Sequence, residues 1–179
     1  GNFVTLQEIY KQVGKDPLRY FMISTKNETP MDFYMDKVIE KNKDNPVFYC
    51  QYAYARASSV INNSKKLSNV DISKITFADF DKLSISKFEW DIILKLISWP
   101  YILQDAALTM QPHKLTNYLE DLCSNFHVFW NKGKDDSSLR MLDENNMAST
   151  ISRIIWIQSF RNILKEVFTI IDISFPENM

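Results

Sequence analysis

Two long segments in the second half of the chain repeat apolar residues every three or four positions. Residues 113–132 do so with leucine, cysteine and aromatic side chains, and residues 147–171 are more apolar still. This spacing places apolar side chains on one face of an α-helix. A helix as apolar as 147–171 belongs in the core of a bundle. With only three glycines in 179 residues, the chain is poor in the turn residues that a β fold needs. The sequence therefore predicts an all-α helical bundle.

Five places carry signals for the start of a helix. Thr5 and Ser86 each precede a glutamate by three residues, which is the spacing of a capping box. Asp16 and Asn45 each precede a proline, which predicts an N-cap followed by proline at the first helical position. Pro112 is the fifth start, and it opens the first of the two apolar segments.

Fewer residues signal the end or the interruption of a helix. Gly14 and Gly133 are predicted to end helices, Gly14 as a left-handed residue after the last turn. Pro100 is predicted to break or kink the helix that starts after Ser86. Residues 33–43 are predicted to be helical. Residues 67–85 carry weak signals and are predicted to form a long connection, ordered by a few aromatic side chains or partly disordered.

The length of the chain fits one domain, or one domain with a small appendage. The polar run 24–30 ends in proline and is the candidate boundary. It divides the sequence into a short helical connector, residues 1–30, and a helical bundle, residues 31–179.

Charge and cysteine usage narrow the function classes. A net charge of -1 and a pI of about 6.2 do not fit a protein that binds nucleic acid through a broad basic surface. The two cysteines, Cys50 and Cys123, form no metal-binding spacing with His113 or His127. Both are predicted to be buried free thiols in a reducing compartment, which we expect to be the cytoplasm. No segment has the apolar length of a membrane span, and no motif indicates a catalytic or metal site.

The helix predicted to start after Asn45 carries an unusual concentration of tyrosine. Tyr49, Tyr52 and Arg56 are spaced three and four residues apart and therefore share one face. The other side carries small residues suited to packing, namely Cys50, Ala53 and Ala57. In one interpretation the rings are buried and the hydroxyls are hydrogen-bonded. In the other, the face is a surface on which unstacked bases can stack.

Several blocks, in order along the chain, resemble the C-terminal third of the arginyl-tRNA synthetases, a family of class I aminoacyl-tRNA synthetases. Residues 1–6 resemble the segment that follows the family's KMSKS-type loop. The motifs "G-x-D-A-L-R", "N-P-V-Y-Y-V-Q-Y-A-H-A-R", "P-H-x-L-x-x-Y-L", "F-H-x-F-Y-N" and a terminal "P-E-x-M" are matched, in turn, by residues 14–19, 45–56, 112–119, 126–131 and 176–179.

This chain departs from the motifs at several positions. Pro17 replaces the alanine that gives the DALR domain its name, and Trp130 replaces a tyrosine. The family's last helix usually reads "N-G-L-x-L-L-G-I", and its two glycines correspond here to Val167 and Asp172.

The resemblance implies a function. The parent protein would be an ATP-dependent ligase that joins arginine to its tRNA, with ATP and Mg²⁺ bound in a catalytic domain outside this sequence. This part would be a monomeric, catalytically inactive DALR anticodon-binding bundle that needs no cofactor or metal. Its partners would be the arginine tRNA, through the anticodon loop and the stem, and the catalytic domain of the same chain. The residues implied around the loop bases are Tyr49, Tyr52, Arg56, Phe126, Trp130, Asn131, Lys132 and Met179.

A second hypothesis remains open. A bundle of this composition could instead be a helical protein-interaction or scaffold module without RNA binding. An exposed apolar groove would favour that function, whereas an exposed face of rings and arginine would favour RNA.

Overall fold

The computed structural model describes residues 5–30, 38, 40, 44–67 and 84–179. These residues contain helices and no strands, so the predicted all-α fold is confirmed for them. Apart from residues 38 and 40, the predicted helix 33–43 lies outside the described residues, and so do residues 68–83 of the predicted connection 67–85. The helices are α1 (Leu6–Val13), α2 (Lys15–Ser24), α3 (Pro46–Ser64), α4 (Lys87–Leu108), α5 (His113–Asp135) and α6 (Met147–Ile171), with a 3-10 turn at Ser137–Leu139.

The helix-start signals explain three of these boundaries. Thr5 and Ser86 form the predicted capping boxes of α1 and α4, since each glutamate three residues on bonds back to the cap. Asn45 caps α3, because its side-chain oxygen accepts hydrogen bonds from the backbone N–H groups of Val47 and Phe48 at 3.1 and 3.2 Å. Each cap satisfies backbone donors that a helix end leaves free.

The core lies between two helix pairs. α4 packs mainly against α5, and α3 packs mainly against α6. The small side chains Cys50, Ala53 and Ala57 of α3 are fully buried, as predicted, and they allow its backbone to approach its neighbours closely. Both cysteines are buried free thiols, and burial raises the pKa of the Cys123 thiol. Among the described residues, no helix is both long and apolar enough to cross a membrane.

The predicted helix start at Asp16 and the predicted helix end at Gly133 are wrong, and Pro100 does not break its helix. α2 begins at Lys15 without a side-chain cap, so Asp16 is not an N-cap and Pro17 lies deeper in the first turn, where a missing N–H costs little. Gly14 does end α1 with a positive φ of 82°, but its ψ of -177° is not that of the left-handed conformation that was predicted. α4 continues through Pro100, because the residues around this exposed proline, including Trp99, are held in the core.

Gly133 also does not end its helix. α5 continues to Asp135, and a Cβ atom at Gly133 would lie 2.8 Å from the backbone oxygen of Leu139. Glycine is therefore needed here because the 3-10 turn approaches α5 closely.

A buried ion pair joins α4 to α6. Arg153 and Glu89 are 2% and 0% exposed in their side chains, and Arg153 Nε lies 3.2 Å from Glu89 Oε1. The same oxygen accepts the indole N–H of Trp156 at 3.2 Å, and Arg153 donates to the backbone oxygen of Ser138 at 2.8 Å. Both charges are thus matched inside the bundle by charge and by hydrogen bonds.

The last helix ends where the family's motif has a glycine. Asp172 takes the left-handed conformation, with φ 56° and ψ 50°, and its backbone N–H bonds back to the final turn. Aspartate tolerates this conformation better than most residues do. Its carboxylate lies 3.2 Å from Lys15 Nζ and 3.5 Å from Arg19 Nε. Two basic residues of α2 thus hold the position at which the family uses glycine.

Candidate nucleic-acid interface

A cluster of rings surrounds the guanidinium of Arg56. The Cζ atom of Arg56 lies 4.1 Å from the centroid of the Tyr52 ring and 4.8 Å from that of Trp130. Tyr52 precedes Arg56 by one turn of α3, whereas Trp130 comes from α5. The predicted face of α3 therefore exists, and Trp130 of the "F-H-x-F-Y-N"-like block faces it. Contacts of this kind are cation–π interactions.

His127 connects the cluster to the backbone of α3. Its Nδ1 atom lies 3.3 Å from Arg56 NH1, and its Nε2 atom lies 3.1 Å from the backbone oxygen of Tyr49. A carbonyl oxygen only accepts and a guanidinium only donates. Both contacts therefore require the same neutral tautomer, with the proton on Nε2. Burial lowers the pKa of His127, the hydrogen bond to Tyr49 raises it, and the charge of Arg56 lowers it.

The remaining rings extend the cluster along α3. Phe48 stacks on Tyr52 with ring centroids 5.9 Å apart, and Tyr49 packs against His127 at 4.2 Å. Arg56 also donates from NH2 to the Tyr52 hydroxyl at 2.8 Å. Partial burial raises the pKa of Tyr49. Tyr49, Tyr52 and Arg56 are all half-buried, so each combines a packed side with an open one.

The C-terminal tail completes the surface. Gln51 donates from Nε2 to the backbone oxygen of Ser174 at 2.9 Å and to Asp16 Oδ2 at 3.0 Å. These bonds hold the tail against α2 and α3. They bring Met179, which is 53% exposed, to the edge of the ring cluster.

Two cavities meet at Tyr52 and Met179, which line both. The smaller, about 300 Å³, also contains Arg56, Trp130 and the tail residue Glu177. The larger, about 900 Å³, extends to α1 and α2. The Tyr52 ring and the Met179 side chain lie where the two open cavities meet, and they provide apolar surface to both.

No carboxylate among the described residues neutralises the charge of Arg56. Within the described ranges, no ion pair involves Arg56. The nearby carboxylate of Glu177 is paired with Arg161. The described part of the chain also contains no group of side chains able to hold a metal ion.

Not every predicted site residue joins this cluster. Phe126 is fully buried and stacks on Phe160 with centroids 4.5 Å apart, so its ring belongs to the core and is closed to a ligand. Lys132 Nζ lies 4.2 Å from the centroid of the Phe88 ring, at the start of α4. Asn131 is exposed on α5.

The structure adds residues that the sequence analysis did not select. His127 is buried and also contacts Arg56. Phe48, Glu177 and Asn178 line one or both cavities. Phe48 and His127 each lie three or four residues from a selected ring, and that spacing was an available signal.

An apolar groove lies between α4 and α6. It has a volume of about 470 Å³ and includes Trp90, Ile97, Trp156 and Ile163. Trp90 and Ile97 are 47% and 60% exposed. The molecule therefore carries both of the surface features that distinguish the two functional hypotheses.

Comparison with known proteins identifies the class. The family model described as the DALR anticodon binding domain matches residues 50–179. This match covers most of the chain and includes α3 from Cys50 onward, α4, α5, α6 and the tail. The chain belongs to the DALR anticodon binding domain family.

The curated relatives of this chain are arginine–tRNA ligases. The chain is 39% identical over 181 residues to an arginine–tRNA ligase of Bartonella bacilliformis and 39% identical over 180 residues to one of Rhizobium leguminosarum. All of this chain is covered in both cases, but it spans only 31% of the length of either relative.

The fold matches two crystal structures described as arginyl-tRNA synthetases. A crystal structure described as a putative arginyl-tRNA synthetase from Campylobacter jejuni matches all of this chain and 36% of its own, with a TM-score of 0.81 and 23% identity. The arginyl-tRNA synthetase of Plasmodium falciparum matches 98% of this chain and 29% of its own, with a TM-score of 0.73 and 21% identity. At these identities the likeness establishes the fold.

Proposed function

We propose that this chain is the anticodon-binding part of an arginine–tRNA ligase and that the ring cluster is its RNA-contact surface. The observation that carries the proposal is the guanidinium of Arg56, which lies between Tyr52 and Trp130 without a carboxylate partner among the described residues. Tyr49 and Met179 extend this surface. Anticodon loops present unstacked bases, which stack on aromatic side chains and on arginine, and their phosphates attract unneutralised cations.

The charge of the chain is consistent with this mode of binding. A net charge of -1 gives little long-range attraction to RNA, so recognition must come from local contacts. Stacking on rings needs no net charge, and one or two local cations suffice to orient the backbone. Asn131 and Lys132 lie beyond the cluster on α5 and would contact the backbone of the loop, whereas Phe126 has only a packing role.

The proposal extends to the parent protein. Its relatives are ligases, and we infer the ATP-dependent joining of arginine to tRNA, with ATP and Mg²⁺ bound in a catalytic domain. The anticodon part would need no cofactor. Residues 1–30 would connect the two parts and meet the tRNA stem. We expect a monomer in the cytoplasm, in which both thiols stay reduced.

Binding measurements test this function. The affinity of the chain for the arginine tRNA is compared with its affinity for the same tRNA carrying a changed anticodon. We expect the changed anticodon to weaken binding. Equal affinities, or no binding to either RNA, would contradict the proposal.

Substitution of Tyr52 locates the surface. Tyr52→Ala is expected to weaken binding of the arginine tRNA by roughly 1–3 kcal/mol, the effect of losing one ring stacked on a base. Tyr101→Ala is the matched control, since Tyr101 is 73% exposed on α4 and lines neither cavity. An unchanged affinity for Tyr52→Ala would leave this ring a packing role only.

The groove between α4 and α6 supports a second candidate function, a protein-interaction module. Its exposed apolar residues, Trp90 and Ile97, are typical of a surface that contacts protein. If this alternative is correct, the arginine tRNA will not bind, and substitutions in the ring cluster will not change the affinity for the protein partner.

A further inference from the structure

His127 is the only side chain that ties Arg56 to the α3 backbone through hydrogen bonds within the described residues. His127 is 4% exposed, and both of its ring nitrogens are engaged, one by Arg56 NH1 at 3.3 Å and one by the backbone oxygen of Tyr49 at 3.1 Å. The guanidinium therefore does not depend on its two neighbouring rings alone for its position.

We propose that His127 is a positioning residue for RNA binding, which holds the Arg56 guanidinium between Tyr52 and Trp130 only while the imidazole is neutral. The inference rests on the proposed function. The Nε2 proton fixes the ring on the carbonyl of Tyr49, and the lone pair on Nδ1 accepts from Arg56. His127 itself contacts no RNA, because it is buried behind the rings.

Protonation would reverse the contact. A second proton on Nδ1 turns the acceptor into a donor and places a positive charge 3.3 Å from Arg56 NH1. Arg56 would then have to leave the position in which Trp130 covers it. Burial lowers the pKa of His127, and the charge of Arg56 lowers it further, although the hydrogen bond to Tyr49 opposes both. The neutral form thus predominates at pH 7, and the guanidinium is released only on acidification below about pH 6.5, the ordinary value for histidine.

Several other ionisable groups surround His127. α3 contributes Tyr49, Tyr52 and Arg56, and α5 contributes Cys123, one turn before His127. The tail contributes Glu177, which lines the cavity beside Arg56. Histidine is the one side-chain type among these whose ordinary pKa lies between 5 and 8.

A matched pair of substitutions separates the two hydrogen bonds. In His127→Asn, the amide oxygen lies close to the position of Nδ1 and can still accept from Arg56, although the bond to Tyr49 is lost. In His127→Gln, the amide nitrogen lies close to the position of Nε2 and can still donate to Tyr49, although the acceptor for Arg56 is lost. Neither amide titrates.

The readout is the affinity of the chain for the arginine tRNA at pH 7.5. We expect His127→Gln to weaken binding about tenfold, the lower end of the effect of losing a hydrogen bond to a charged group, and His127→Asn to stay within about threefold of wild type. The thermal unfolding midpoint of each variant is measured alongside. A purely structural role predicts that affinity follows the midpoints, and equal binding by the two variants would overturn the proposal.

A pH series provides the second arm. Wild type should bind constantly between pH 8 and 7 and lose affinity progressively below pH 6.5, whereas His127→Asn should lose distinctly less. Identical acid responses would overturn the positioning role. If wild type binds no tRNA at pH 7.5, the proposed function itself fails and the inference fails with it. Binding by wild type with identical variants contradicts the positioning role alone.

Discussion

Two arginines of this bundle lie in contrasting surroundings. Arg153 is 2% exposed in its side chain and is matched by the Glu89 carboxylate and by backbone oxygens. Arg56 is half-buried and is held by the rings of Tyr52 and Trp130 and by neutral acceptors. The charge of the first is neutralised within the protein. The charge of the second is not neutralised by any described residue, and it faces a cavity.

The difference shows how one residue type serves stability in one place and binding in another. A buried guanidinium whose three nitrogens each donate to a protein oxygen contributes to a single arrangement of helices and is closed to a ligand. A guanidinium that is stacked but not neutralised is already oriented, so a phosphate or a base can bind it without reorganising the site. The comparison predicts that the two sites can be damaged separately.

The largest expected effect is on stability at the buried pair. Arg153→Met leaves the Glu89 carboxylate buried without its partner and should lower the free energy of unfolding by roughly 3–5 kcal/mol, measured by urea denaturation. Arg56→Met is the control and should lower it by no more than about 1 kcal/mol, because its side chain remains half solvated. Similar losses of unfolding free energy in the two variants would contradict the distinction between the two arginines.

A smaller loss is expected where the 3-10 turn meets α5. Gly133→Ala places a methyl group 2.8 Å from the backbone oxygen of Leu139, in the turn whose Ser138 oxygen accepts from Arg153. The turn must shift, which should destabilise the fold by roughly 1–3 kcal/mol in the same denaturation experiment. The affinity for tRNA should not change at temperatures where the variant is folded. A stability equal to that of wild type would mean that the turn is not fixed against α5.

The smallest expected effect is on tRNA binding when Arg56 is replaced by lysine. Arg56→Lys keeps the charge but loses the planar group that stacks on Tyr52 and Trp130, so binding of the arginine tRNA should weaken by about 1 kcal/mol with an unchanged salt dependence. Arg56→Met should also reduce the slope of log affinity against log salt by about 1, because one cation near a phosphate is lost. Equal slopes for the two variants would exclude a phosphate contact by Arg56.

Local signals in the sequence were sufficient for the all-α class, for several helix starts and for the common face of α3. Capping residues such as Asn45 act on the nearest backbone N–H groups, and the three-and-four spacing of Tyr49, Tyr52 and Arg56 fixes their common face. A break at Pro100 and a helix end at Gly133 are not found, because tertiary packing, which local sequence does not encode, decides whether a helix continues through these residues.

The partners of the ring cluster depended on long-range geometry. Whether Phe126 or Trp130 meets Arg56 is decided by the rotation of α5 against α3. In the structure Phe126 packs on Phe160, and Trp130 lies over the guanidinium. The contact between Arg56 and His127 joins residues 71 positions apart, and no periodicity predicts it.

The most direct test uses the four tryptophan indoles as reporters. Trp130 lies in the ring cluster, Trp90 lies in the apolar groove, and Trp99 and Trp156 are buried. Indole N–H resonances of the ¹⁵N-labelled chain are followed by NMR as the anticodon stem–loop of the arginine tRNA is added, with Trp130→Phe used for assignment. The ring-cluster interface predicts that the Trp130 resonance shifts while the Trp90 resonance stays in place. A shift of Trp90 with Trp130 unchanged would contradict it.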